Sequence, residues 1–175
     1  YTFSDGTVKK AGTIGTIGCT SFFPSKNLGC YGDGGALFTN DDILAEQIQA
    51  VVNHGMRVRY YHDYVGVNSR LDTIQAAVLD IKLKHLDEYI AARQYAAAYY
   101  DKAFSVTDKI ITPKKSHFTT HVYHQYVMVL NGVDRAKLMQ HLQEKGIACA
   151  IYYPVPLHEQ KAYQDPRYKK GDFPV

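Results

Sequence analysis

The stretch TSFFPSKNLGCYGDGGALFTND, residues 20 to 41, sets one lysine, Lys26, in a turn between two short β-like runs. Four glycines follow it closely: Gly29, Gly32, Gly34 and Gly35. A turn uses glycine to reach positive φ and proline to fix φ, but its geometry has no use for an ammonium group. A lysine amine does chemistry when it condenses with a carbonyl. That requires its charged form, with a pKa ordinarily about 10.4, to be destabilised by burial or by a neighbouring cation. Phe22, Phe23 and Leu28 can dry this turn, and Ser21, five residues before the lysine, offers a hydroxyl to an anion. The glycines could bring backbone amides near a phosphate, yet GCYGDGGA fits neither G-x-x-x-x-G-K-[ST] nor G-x-G-x-x-G. The dull alternative is a solvated turn lysine.

The elements that must position this turn can be read from periodicity. Residues 16 to 23 and 35 to 40 are rich in β-branched, aromatic or apolar types and are expected to be strands. Asp41 or Asp42 can cap a following helix, which carries Ile43, Ile48 and Val51 or Val52 near helical spacing and stops at Gly55. A polar and aromatic connector leads to residues 70 to 104, which contain neither glycine nor proline. Leu71, Ile74, Val78 and Ile81 recur there at helical spacing, so one long helix is expected, spanning roughly 50 Å, with His85 as the place for a break. Such a length suits a helix that bridges two domains. After Pro113, HVYHQYVMVLN alternates like a strand, DRAKLMQHLQEKG reads as a helix between Asp134 and Gly146, and IACAIYYPVPLH reads as a strand ended by Pro154 and Pro156. The expected division is therefore 1–70, a connecting helix at 71–104, and a small α+β domain at 105–175.

Composition narrows the class. The 175 residues are 46% hydrophobic and 21% charged, ordinary values for a soluble globular protein. No apolar run approaches the roughly 18 to 20 residues of a membrane span, and YTFSDGTVKK has no signal-peptide pattern, so a cytoplasmic, non-membrane protein is expected. A net charge of +3 suits an anionic substrate, but the basic residues are scattered, which argues against nucleic acid. Cys19, Cys30 and Cys149 are odd in number and lack C-x-x-C spacing, so they read as reduced thiols. His117, His121 and His124 do not form a metal site on this pattern, because a β-like run after Val122 sends alternate side chains to opposite faces. A chain that opens on Tyr1 in a loop-like stretch and stops at GDFPV reads as a piece of a longer protein.

SFFPSKNLGCYGDGGALFTND, NHG, GVNSRLDTIQAAVL, KLKHLDEYIAAR, HVYHQYVMVL and YYPVPLH, in that order, resemble the DegT/DnrJ/EryC1/StrS family of pyridoxal-phosphate-dependent sugar aminotransferases. The resemblance spans essentially the whole chain, although family members are about twice as long. It implies an α/β fold, a partial fold type I transferase in which the end of the large cofactor domain is joined by a long helix to a small α+β domain. Lys26 matches the family's Schiff-base lysine and Ser21 the serine that hydrogen-bonds the cofactor phosphate. Asn68 matches an asparagine that reaches the cofactor of the neighbouring subunit, which implies a homodimer with shared sites. Arg70 is placed to contact an anionic substrate across the same interface; a helix cap and a surface ion pair are the plainer reading of these two residues. Tyr152, Tyr153 and His158 resemble the segment that frames the sugar-nucleotide pocket, though pocket tyrosines are also common core residues.

The implied reaction is transfer of an amino group, with L-glutamate as the expected donor, to a nucleotide-diphosphate ketosugar in surface-polysaccharide biosynthesis. Ser25 before the lysine resembles a subgroup acting on 3-keto UDP-sugars, whereas Tyr152 stands where some of those relatives carry histidine. The family's acidic partner for the pyridine nitrogen and its first phosphate-binding turn would lie before Tyr1, so the isolated chain is expected to be inactive. A cofactor-dependent sugar dehydratase is disfavoured by Lys26, which histidine replaces there. A non-catalytic binding or regulatory protein of the same family is disfavoured by the presence of Lys26, Ser21 and Asn68 together.

Overall fold

The computed structural model describes residues 1–173. The chain forms two compact units, Tyr1–Val129 and Leu130–Val175. The sequence-based division instead closed the first domain at residue 70 and its connecting helix at 104. Within residues 105 to 129, the stretch 121 to 126 is tied to the first unit by Asn27, Arg93, Gln94 and Asp101, as described below.

In the first unit, β1 (Gly18–Ser21) and β2 (Gly35–Phe38) form an antiparallel pair with Ser21 opposite Gly35 and Gly18 opposite Phe38. Both fall inside the runs that β propensity marked. Helix α1 (Asp42–Val52) follows. Its first free amides, on Ile43 and Leu44, donate to the Asp41 carboxylate at 2.9 and 3.1 Å, which settles Asp41 as the cap. The helix is followed by His54 and Gly55, both at positive φ, 62° and 77°. A Cβ on Gly55 would also lie 1.8 Å from the Tyr64 carbonyl oxygen, so this turn needs glycine for space as well as for conformation. The short antiparallel pair β3 (Met56–Val58) and β4 (Tyr61–His62) returns the chain past the end of α1.

The expected long helix breaks at the place the sequence allowed, giving α2 (Thr73–Leu83) and α3 (Leu86–Phe104) with an interruption at Lys84 and His85. The cause is local. Asp87 and Glu88 occupy the first turn of α3, where the N-terminal end of a helix favours negative charge, and Glu88 lies 3.4 Å from His85.

HVYHQYVMVL was expected as a strand, but only β6 (Val129–Leu130) forms there, paired with β5 (Ile110–Ile111). Residues 121 to 124 instead give all four carbonyls to side chains. Gln94 donates to His121, Asn27 to Val122, and Arg93 to Tyr123 and His124, over 2.9 to 3.3 Å. Tyr123, at φ 45°, is also outside any strand conformation. Asp101 on α3 accepts the Tyr126 hydroxyl at 2.5 Å and secures the next turn of chain.

The second unit holds α4 (Arg135–Glu144), capped by the Asp134 carboxylate and followed by Gly146 at φ 72°, as its sequence indicates. The expected strand over IACAIYYPVPLH is absent: those residues are irregular as far as a 3-10 turn at Leu157–Glu159. Among the described residues no helix is long and apolar enough to cross a membrane.

Candidate functional site

Lys26 sits at the tip of a loop that leaves β1 and returns to β2. The loop is closed at its neck by the Phe22 amide donating to the Gly34 carbonyl at 2.7 Å and the Cys30 amide donating to the Phe22 carbonyl at 2.8 Å. Its tip is tightened by the Lys26 amide on the Phe23 carbonyl, also 2.8 Å. Cys30 is fully buried, its thiol within 3.0 Å of the Phe22 carbonyl and 2.9 Å of that of Gly32. Phe22, Lys26, Asn27 and Leu28 are half-buried, while Phe23 remains exposed, so of the three apolar residues expected to dry the turn only Phe23 faces solvent.

The glycine cluster has a different reason from phosphate binding. A Cβ on Gly29 would lie 2.6 Å from the Pro24 carbonyl oxygen, one on Gly34 2.9 Å from both Cys30 Sγ and Leu71 Cδ1, and one on Gly35 2.9 Å from the Thr20 carbonyl oxygen. These residues are small so that the two limbs of the Lys26 loop can approach each other.

Ser21, the last residue of β1, stands at the neck of the loop. Its Oγ accepts the Phe23 amide at 3.2 Å, which leaves the hydroxyl hydrogen for an anion. Asn68 and Arg70 form a second pair: Arg70 Nε donates to Asn68 Oδ1 at 3.0 Å, and both are exposed. The end of α1 positions them, because Val51 and Val52 carbonyls accept the Val67 and Ser69 amides and Asn53 bridges to Asn68. Asn68 and Arg70 line a cavity of about 1120 Å³ with Thr20, Gly34 and Gly35; Ser21 and Lys26 are not among its lining residues. The first unit thus joins Ser21 to Lys26 and Asn68 to Arg70, but does not gather the four in one cavity. In the second unit Tyr152 and Tyr153 are exposed with rings 5.6 Å apart, and His158 packs edge-on against Phe173 at 4.9 Å.

Sequence reading missed Asn27 and His124. Asn27 Nδ2 donates to the Val122 carbonyl, while its Oδ1, and Nδ1 of His124 two residues further on, are buried without a partner. Burial holds the His124 imidazole below the ordinary histidine pKa, and the nearby charges of Lys26 and Arg93 push the same way. The H-x-x-H spacing was a signal, but it was weighed only as a metal motif; among the described residues no group of His, Cys, Asp and Glu is arranged for a metal. An amine in a closed, half-dry loop, a hydroxyl at its neck and unpartnered polar atoms alongside are chemically suited to an aldehyde that carries a phosphate.

A family model, the DegT/DnrJ/EryC1/StrS aminotransferase family, matches residues 2–175. The chain belongs to that family. It is 47% identical to the UDP-2-acetamido-2-deoxy-3-oxo-D-glucuronate aminotransferase of Pseudomonas aeruginosa, over 95% of this chain and 45% of that protein. It is 45% identical to the pleiotropic regulatory protein of Geobacillus stearothermophilus over the same shares. S. venezuelae DesV, solved in complex with a ketimine intermediate, superposes with a TM-score of 0.84 at 40% identity, over 90% of this chain and 42% of DesV. The chain spans less than half the length of these relatives. The fold is that of this aminotransferase family.

Proposed function

We propose that this chain carries the lysine half of a pyridoxal-phosphate-dependent active site that moves an amino group, from glutamate, onto a nucleotide-linked ketosugar. The observation that carries the reading is the half-buried Lys26 at the tip of a closed loop, with Ser21 at its neck, in a member of the aminotransferase family. When bound, pyridoxal phosphate supplies an electron sink that lets a proton leave the carbon beside an amine. Lys26 would hold the cofactor covalently and, once displaced by the incoming amine, carry that proton between carbon atoms as general base and acid. Ser21 would donate to the phosphate. Asn68 and Arg70 would serve the site of a second subunit in a homodimer, Asn68 toward phosphate and Arg70 toward the anionic substrate. Tyr152, Tyr153 and His158 would contact sugar hydroxyls or diphosphate.

A 3-oxo UDP-sugar is the favoured acceptor, since the P. aeruginosa relative is named for one and the Ser25–Lys26 pair resembles that subgroup. The regulatory name of the Geobacillus relative keeps a non-catalytic reading in view. Incubating the full-length protein with glutamate and a panel of keto UDP-sugars, and measuring 2-oxoglutarate, separates the two. Ketosugar-dependent 2-oxoglutarate, abolished by Lys26→Ala, supports the enzyme. A panel silent throughout favours the binding protein.

A further inference from the structure

We propose that Gln75 and Lys82, on one face of α2, are positioning residues that set the height and direction of Lys26. The inference rests on the reading of Lys26 as the cofactor lysine. The two side chains are seven residues apart, two helical turns, so they project from the same side of α2 with the buried Leu79 between them. Both end on the return limb of the lysine loop. Gln75 Oε1 accepts the Tyr31 amide at 2.8 Å. Lys82 Nζ donates to the Gly29 carbonyl at 2.7 Å and lies 4.8 Å from the centre of the Tyr31 ring. The charge of Lys82 is thus met by a carbonyl oxygen and a ring face.

From this limb the contacts run directly to the lysine. Gly29 is buried so closely against the outgoing limb that a Cβ there would lie 2.6 Å from the Pro24 and 2.8 Å from the Phe23 carbonyl oxygen. The Phe23 carbonyl accepts the Lys26 amide. Gly32 lies against α2, though less tightly, a Cβ there lying 3.2 Å from the Gln75 side-chain Nε2. Cys30, between them, ties the same limb to Phe22. Loosening Gln75 or Lys82 therefore releases residues 29 to 32, and the turn that carries Lys26 moves with them. A reacting group misplaced by about 1 Å can lose a hundredfold in rate.

The test uses the full-length protein loaded with pyridoxal phosphate, comparing Lys82→Met with Lys82→Arg and Gln75→Leu with Gln75→Glu. The arginine keeps a cation over Tyr31 and the glutamate keeps an acceptor for the Tyr31 amide. Three quantities are read: the pH at which the bound cofactor changes its visible absorption, the rate of borohydride trapping on Lys26, and kcat and KM with glutamate. The proposal expects Lys82→Met and Gln75→Leu to shift that pH, slow trapping, and lower kcat about tenfold or more with KM within about twofold, and expects the conservative partners to restore all three. If Lys82→Met does not fold, the Gln75 pair decides by the same readings. Variants that lose only thermal stability, with absorption, trapping and kcat as in the parent, overturn the positioning role. An unsubstituted protein with no trapped cofactor on Lys26 overturns the reading beneath it and the inference together.

Discussion

Replacing Lys26 with arginine keeps a cation in the half-buried turn and removes the amine that condenses with an aldehyde. Lys26→Arg in the full-length protein is expected to abolish covalent cofactor attachment while leaving the far-ultraviolet circular dichroism unchanged. His124 makes a separate prediction in pH. Burial and the neighbouring Lys26 and Arg93 disfavour its charged form in the folded state, whereas in the unfolded chain it titrates near about 6.5. As pH falls below that value the unfolded state gains a proton the folded state resists, so stability declines through this window and is unaffected above it. Urea unfolding of His124→Gln beside the parent checks this: the parent should lose more stability between neutral and mildly acid pH, and parallel losses would remove the effect. The place of His124 was hidden in the sequence, where it is considered only as a metal ligand and set aside, because Arg93, Gln94 and Asn27, which gather that segment, lie far from it along the chain.

Elements formed by local signals were legible, and those formed by distant side chains were not. Helix α1 has its cap at Asp41 and its stop at Gly55 written into neighbouring residues, and β1 and β2 follow β propensity. The break at His85 was allowed for in the sequence although it has no glycine or proline; the acidic pair Asp87 and Glu88 beyond it also suits the middle of a long charged helix. Residues 121 to 124 alternate like a strand, and only α3 and the Lys26 turn, distant in sequence, divert their carbonyls. Asp41→Ala should cost about 1 kcal/mol by chemical denaturation, because two amides lose their acceptor. Gly55→Ala should cost more, above about 3 kcal/mol, since both its φ and the Tyr64 backbone oppose a side chain. Removing the hydroxyl with Tyr126→Phe should cost about 1–2 kcal/mol and loosen residues 121 to 126, seen as faster amide hydrogen exchange there.

At the scale of the whole molecule, few large apolar side chains are buried among the described residues. Among the described residues the buried apolar side chains are Cys30, Ala50, Leu79 and Ala97, while Leu37, Phe38 and Ile43 around the β1–β2 pair are exposed. Such exposed apolar side chains suit a covering surface, which composition alone does not reveal but which the resemblance to a family of chains about twice as long leads one to expect. The 175-residue chain alone is therefore expected to bind an apolar dye strongly and to show no transamination; turnover by the isolated chain with no dye binding would contradict this. The central claim is that Lys26 is the cofactor lysine. It is tested most directly by reducing the full-length protein with borohydride in the presence of pyridoxal phosphate and mapping the product by peptide mass spectrometry. The account predicts one pyridoxyl group, on Lys26 alone. An unmodified Lys26, or label spread over many exposed lysines, would contradict it.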